Sequence, residues 1–155
     1  YVGLMIKNNK PYLIEYNVRM GDPECQVIMP RLKTDLVKIL NASIENKLNK
    51  IKIEWDQSKC MTTVICAKGY PNKYKTNKII NLDKIKLNKE SFIFHAGTKL
   101  KNNLLVSNGG RVLNVVVLGS SFLKIRNKIF KIIKKIKWKH GFFRKDIGWR
   151  VIKNS

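Results

Sequence analysis

Glu15, Asn17 and Arg19 stand two residues apart within the stretch Tyr12 to Gln26, YLIEYNVRMGDPECQ. In an extended strand alternate side chains point the same way, so these three share one face while Ile14, Tyr16 and Val18 share the other. Glu15 and Asn17 then offer hard oxygen ligands of the kind magnesium takes when it is shared with phosphates. Arg19 offers a planar fork for a carboxylate or a phosphoryl oxygen. The apolar face is expected to anchor the strand to a core. Each residue taken singly also fits a plain solvated strand face, and it is the joint pattern that points to a site.

The elements that must position these groups are readable from spacing and punctuation. Tyr1 to Lys7 and Tyr12 to Arg19 flank the turn-forming cluster Asn8-Asn9-Lys10-Pro11, which predicts a β-hairpin with the polar strand second. Its exit, Gly21-Asp22-Pro23-Glu24, reads as a helix start: Asp22 suits the N-cap, Pro23 the first turn and Glu24 the positive helix end. Val27 and Ile28 begin an apolar face that Pro30 interrupts. Leu32, Leu36, Ile39, Leu40 and Ile44 resume it at helical steps, with Asp35 near the start and Lys47 near the end, predicting a core-facing helix. The polar stretch 46–58 is the expected boundary between a first unit, residues 1–50, and a second, residues 57–155.

In the second unit strand-like runs dominate: Thr62 to Ala67 before the turn Gly69-Tyr70-Pro71, then Ser91 to His95, Leu104 to Ser107 and Arg111 to Leu118. Asn108-Gly109-Gly110 reads as a hairpin turn joining the last two, because its residues accept positive φ at low cost. Ser120 or Ser121 can cap a helix whose stripe is Phe122, Ile125, Ile129, Ile132, Ile133 and Ile136, with Lys and Arg opposite. The expected fold is α+β, mainly antiparallel, with this amphipathic helix covering the sheet.

The chain has 155 residues, 44% of them apolar, a normal proportion for a globular core. A formal net charge of +22 ordinarily implies a polyanion partner. Here the charge is overwhelmingly Lys, spread along the chain among many Asn, while Arg occurs six times. That pattern is what an AT-rich coding sequence gives. A noncatalytic basic module binding nucleic acid by counterion release is the competing class. It needs arginines or aromatics at contact points, whereas Trp55, Trp138 and Trp149 sit singly, so no specific nucleic-acid partner is expected. Cys25, Cys60 and Cys66 are widely spaced with no zinc pattern and read as reduced, mostly buried thiols. No run approaches the ~20 apolar residues that cross a bilayer, so no membrane partner is expected and the expected location is the cytoplasm.

Glu15-Tyr16-Asn17-Val18-Arg19 resembles the last metal-binding strand of the ATP-grasp ligases. The run Arg19-Met20-Gly21-Asp22-Pro23-Glu24-Cys25-Gln26 resembles the signature of the phosphoribosylamine-glycine ligase (glycinamide ribonucleotide synthetase) family, with Met20 where the family usually carries Leu or Phe. Further on, Gly69-Tyr70-Pro71, Phe94-His95-Ala96-Gly97-Thr98, Gly109-Gly110-Arg111-Val112-Leu113 and Phe143-Arg144-Lys145-Asp146-Ile147-Gly148 resemble the family's C-terminal domain, in order.

The resemblance implies the end of an ATP-grasp domain in residues 1–50, followed by a small α+β domain. It implies an ATP-dependent ligase that joins glycine to 5-phosphoribosylamine in purine synthesis through a glycyl phosphate, with Mg2+ or Mn2+ as the cation. Residue by residue, Glu15 and Asn17 fall on the metal ligands and Arg19 on the anion-facing, catalytic arginine. Asp22, Glu24 and Arg111 are weaker substrate-binding candidates. Asp22 and Glu24 also fit a helix start, and Arg111 also fits a surface ion pair. His95 and His140 read as structural and loop residues; Lys99 and Arg144 stay open. The Gly-rich phosphate loop and adenine pocket lie outside these residues, so the chain reads as part of something longer, or as a relic, and alone is expected not to turn over.

Overall fold

The structure is a computed structural model that describes residues 1–153; the last two residues of the second expected unit, 154 and 155, lie outside the described residues. Strands β1 (Val2–Lys7) and β2 (Lys10–Tyr16) form the expected antiparallel hairpin. Asn8 and Asn9 turn it with φ of 51° and 58°, the left-handed conformation that Asn tolerates best among residues with a side chain. After a short helix α1 (Cys25–Ile28) and a 3-10 turn at Met29–Arg31, helix α2 spans Leu36–Ile44. Its N-cap is Asp35, whose Oδ1 accepts from Val37 N at 2.8 Å and Lys38 N at 3.1 Å.

Two expectations for this region are overturned. The apolar side of β2 anchors to no core: Ile14 and Tyr16 are 62% and 74% exposed, and Val18 is open to solvent. Likewise α2 is not core-facing, since Leu36, Leu40 and Ile44 are exposed and Ala42 is its one buried residue. Both elements have the right periodicity, but nothing among the described residues lies over the apolar side.

The second region behaves differently. Strands β3 (Lys59–Ala67), β4 (Ser91–His95), β7 (Arg111–Gly119) and β8 (Gly141–Phe142) form an antiparallel sheet in the order β4-β7-β3-β8. Helix α3 (Phe122–Ile136) covers one face, burying Ile125, Ile129, Ile132, Ile133 and Ile136 against residues such as Met61, Ile65, Leu113 and Val115. Full burial of such a side chain stabilises by about 1.5–3 kcal/mol, so this stripe and sheet form the main core. On β3 the period of two is visible in burial: Met61, Thr63, Ile65 and Ala67 are buried, whereas Thr62, Val64 and Cys66 are half-buried. Helix α1 meets β3 and β7, joining the two regions.

Three local readings change. Asn108-Gly109-Gly110 does not close a hairpin; β6 (Leu104–Ser107) pairs instead with β5 (Thr98–Lys101) through Asn102-Asn103, at φ of 49° and 59°. Residues 108–110 pass the chain to the other sheet. Ser121 holds the N-cap position of α3 but makes no side-chain capping bond. A terminal helix α4 (Trp149–Lys153) was not legible in the sequence.

Candidate functional site

The polar strand ends sooner than its alternation implies, and a turn redistributes its side chains. By pairing, β2 stops at Tyr16, but Asn17 N donates to Tyr1 O at 2.8 Å and Tyr1 N donates to Asn17 O at 2.6 Å. The ladder therefore runs one pair further, and Glu15 and Asn17 keep a common side. Gly3 lies opposite Glu15, where a Cβ would sit 3.0 Å from Glu15 Cγ, so glycine leaves the carboxylate room. Arg19 lies past the ladder, in the bend, with Nη1 donating to Met20 O at 2.9 Å. It does not share the strand face expected for it, because the chain has already turned.

Tyr1, which sequence reasoning did not single out, gathers this group. Its hydroxyl donates to Glu15 Oε1 at 2.6 Å. That hydrogen bond, with burial and the charges of Glu15 and Glu24, holds the phenol above its ordinary pKa, and Arg19 opposes the shift. Glu15 thus bonds the phenol directly, while Glu24 and the Tyr1 ring both border Gly21. Glu24 folds back over Gly21, where an added Cβ would meet its carboxylate oxygen, and Glu24 rather than Asp22 stands at the start of α1, with no capping bond from its side chain.

Asp22 is engaged elsewhere. Arg111 Nη1 donates to Asp22 O at 2.9 Å and Nη2 lies 3.2 Å from Asp22 Oδ2, while Gln26 Nε2 donates to Asp22 Oδ1 at 2.9 Å. An exposed pair of this kind contributes about 1 kcal/mol or less, so its effect is to fix the strand exit against the second sheet. Arg111 is itself held by interlocked glycine motifs. Gly97 N donates to Arg111 O at 2.8 Å, and the Gly97 and Gly109 backbones approach so closely that a Cβ at Gly97 would lie 2.6 Å from Gly109 Cα. The Tyr70 ring covers Gly110.

Between the strand exit and the sheet lies a cavity of about 580 Å3, walled by Thr62, Val64 and Cys66 on β3 and by Pro23, Arg111 and Arg144. Burial raises the Cys66 thiol pKa, with Arg111 opposing; burial pushes Cys60 up to about 11. All three cysteines are free and only partly buried. Arg144 is bound by Asp146, at 3.0 and 2.6 Å. His95 Nδ1 lies 3.0 Å from Thr98 Oγ1, a local structural contact, Lys99 lies on β5, and His140 stands in the loop before β8.

Among the described residues no group of three or more His, Cys, Asp or Glu converges as a closed metal cage. Glu15 and Asn17 bring two hard oxygen donors to one side of the hairpin, the donor type that magnesium takes. Among the described residues no helix is long and apolar enough to cross a membrane.

The family model "Phosphoribosylglycinamide synthetase, C domain" matches residues 60–150. Phosphoribosylamine-glycine ligase of Brucella melitensis is 41% identical over the whole chain, and that of Agrobacterium fabrum is 45% identical over 98% of it. In each case the chain spans 36% of the relative's length. The crystal structure of the Thermotoga maritima phosphoribosylamine-glycine ligase superposes with a TM-score of 0.74 at 31% identity, over 94% of this chain and 35% of that one. The chain belongs to the phosphoribosylglycinamide synthetase family and contains its C domain.

Proposed function

We propose that this chain, as part of a longer protein, contributes to an ATP-dependent ligase that joins glycine to 5-phosphoribosylamine to give glycinamide ribonucleotide in the cytoplasm. The observation that carries this reading is the identity of 41% to a named ligase over the entire chain, including residues 1–59 that precede the C-domain match. Those residues hold Glu15, Asn17 and Arg19, and we read them as the close of an ATP-grasp domain. Their exposed apolar β1, β2 and α2 surfaces fit a covering body built from the remaining length of the relatives.

In this reading the γ-phosphoryl group of ATP passes to the glycine carboxylate, forming glycyl phosphate and ADP. The amine of 5-phosphoribosylamine then attacks the carbonyl carbon and phosphate leaves. Magnesium or manganese, when bound, neutralises charge on the ATP phosphates. Glu15 and Asn17 would hold it. Tyr1 orients Glu15 by occupying Oε1, leaving Oε2 with no partner among the described residues. A phenol is protonated at neutral pH and so donates here, and the bond to Glu15 raises its pKa further. Arg19, in the bend beyond the ladder, would supply positive charge where the glycine carboxylate takes up phosphate. Asp22 and Arg111 fix the exit on which Arg19 and Glu24 are carried, so their part is positioning. No covalent nucleophile is required, because the substrate amine is the nucleophile.

The test is glycine-dependent ADP formation by the longer protein, compared with the 155-residue chain alone, which is expected to be inactive. Glu15→Ala in the longer protein is expected to abolish magnesium-dependent ligation with its circular dichroism unchanged. Wild-type activity in that variant would remove Glu15 from the site.

A further inference from the structure

A second concentration of chemistry lies away from the strand exit, where the loop after β3 meets the chain leaving α3. Residues 77–80 run beside β6: Asn77 N donates to Ser107 O at 2.6 Å, Ser107 N to Lys78 O at 2.9 Å and Ile80 N to Leu105 O at 2.9 Å. Opposite them the chain turns at Lys137, with φ of 50°, and Lys68 N donates to His140 O at 2.9 Å. Both walls are therefore fixed by backbone bonds. They enclose a cavity of about 540 Å3. Lys78, Lys137, Lys139, His140, Asn77 and Asn81 supply its polar side chains, and no carboxylate lines it.

The charge here is unbalanced. Burial first, and then the charges of Lys78, Lys139, Lys68 and Lys75, all of one sign, hold the His140 imidazole below its ordinary pKa. None of these lysines takes part in an ion pair among the described residues, whereas Lys47, Lys52 and Lys128 meet Glu45, Glu54 and Glu90. Lysine meets this cavity from two separate segments, Lys78 on one wall and Lys137 and Lys139 on the other. The carboxyl end of α3 attracts cations through its dipole, yet that field fades within a turn and does not account for Lys68, Lys75 and Lys78. The indole N–H of Trp138, which also borders the cavity, is buried without an acceptor among the described residues. Asn81 Nδ2 is engaged by Asp83 Oδ2 at 3.0 Å and Asn77 Nδ2 by Thr76 Oγ1 at 3.3 Å, so the charge offered to a ligand comes from the lysines.

We propose that this cavity binds a small molecule carrying at least two phosphate groups, at a site that shares no residue with the Glu15 and Arg111 cluster. Lys78 arrives from one wall and Lys137 and Lys139 from the other, so a chain of two or three phosphates can bridge them. The volume falls within the range of roughly 300–1,000 Å3 usual for small-ligand pockets, and Ile79, Ile136 and Trp138 give it an apolar side. Inorganic oligophosphates and nucleotides share this chemistry.

Amine acetylation read by mass spectrometry, on the intact protein at physiological salt, tests it with three probes: inorganic triphosphate, a nucleoside triphosphate and a short single-stranded RNA. Triphosphate at a few times its Kd is expected to lower labelling of Lys78, Lys137 and Lys139 about fivefold, and that of Lys124 and Lys131 on the exposed side of α3 less than about twofold. Equal protection by both triphosphates assigns recognition to the phosphates; protection at lower concentration by the nucleoside triphosphate adds the apolar wall to the site. Lys78→Glu with Lys139→Glu is expected to remove protection of Lys137, while Lys124→Glu with Lys131→Glu, an equal change of charge, leaves it intact. Circular dichroism checks that both variants are folded. Uniform protection of all lysines, protection by RNA alone, no protection, or equal loss in both charge variants would each overturn the proposal.

Discussion

In α3 the isoleucines at 125, 129, 132, 133 and 136 are buried, whereas in α2 Leu36, Leu40 and Ile44, at the same helical steps, face solvent. The strands show the same divide: β7 is buried along most of its length, and β2 is exposed throughout. Periodicity identifies the side of an element that wants cover, but a second layer must supply it. For α3 that layer is the sheet β4-β7-β3-β8, within the same chain. For α2 and the β1–β2 hairpin, no described layer does so, which is why we assign their cover to the remaining length of a longer ligase.

The largest expected effect tests the well-covered region. Leu113 is fully buried in β7, and Leu113→Ala removes its packing and leaves a cavity. A loss of about 3–4 kcal/mol is expected from denaturant unfolding. A loss under about 1 kcal/mol would mean that the core collapses around the gap and is packed less tightly than its burial indicates. Next comes Gly97→Ala, whose Cβ would meet backbone at Gly109 and the Arg111 carbonyl, neither of which can rotate away. About 2 kcal/mol of destabilisation is expected by the same measurement. Because the clash lies next to Arg111, ligase activity of the longer protein is expected to fall as well; an unchanged activity would separate the glycine contact from the site.

The contrast between the regions also marks what the sequence made legible. The α3 stripe, the strands β3, β4 and β7 and the first Asn-Asn turn were readable because local chemistry and final packing agree there. Asn102-Asn103 carries the same turn chemistry as Asn8-Asn9, but the more obvious Asn108-Gly109-Gly110 drew the hairpin to the wrong place. At the candidate site Glu15 and Asn17 were legible from alternation. Tyr1 was not, because the hairpin carries a register shift between Gly3 and Leu4. Counting back from the turn without that shift sets Tyr1 opposite Tyr16; the shift sets it opposite Asn17 and beside Glu15. The Asp22 to Arg111 contact spans 89 residues, and no local pattern encodes a partner at that separation.

A smaller effect, and a sharper comparison, comes from Ile14→Ser. In the 155-residue chain Ile14 is already solvated, so stability should change by less than about 0.5 kcal/mol. In the longer protein the same change should lower the melting temperature measurably if the hairpin is covered there. Equal, negligible effects in both would count against cover by the rest of the protein and would leave the exposed hairpin without an account.

The mildest test uses two carboxyls, one in the segment between the regions and one in the second region. Hydrogen bonds from the Ser58 hydroxyl and amide hold Asp56 below its ordinary pKa of 3.8, and a hydrogen bond from Arg144 does the same for Asp146. A carboxyl whose folded pKa is depressed adds stability that is fully present above the ordinary value and is lost as pH falls through the folded one. Acidification through and below the ordinary carboxylate range should therefore destabilise the chain. Asp56→Asn and Asp146→Asn should each flatten part of that dependence while costing a little stability at neutral pH. The Asp56 carboxyl accepts from Ser58 N at 2.7 Å, and its main chain returns to the first region, where the Asp56 carbonyl accepts from Arg31 Nε and Nη2 and the amide donates to Arg31 O. Its loss should loosen the Leu32 to Trp55 bridge, with exchange of the Lys33 amide, bonded to Glu54 O, as the readout. Asp146→Asn should leave that amide protected. If both variants expose it equally, the two regions open together, and the division drawn from their burial is not a division in stability.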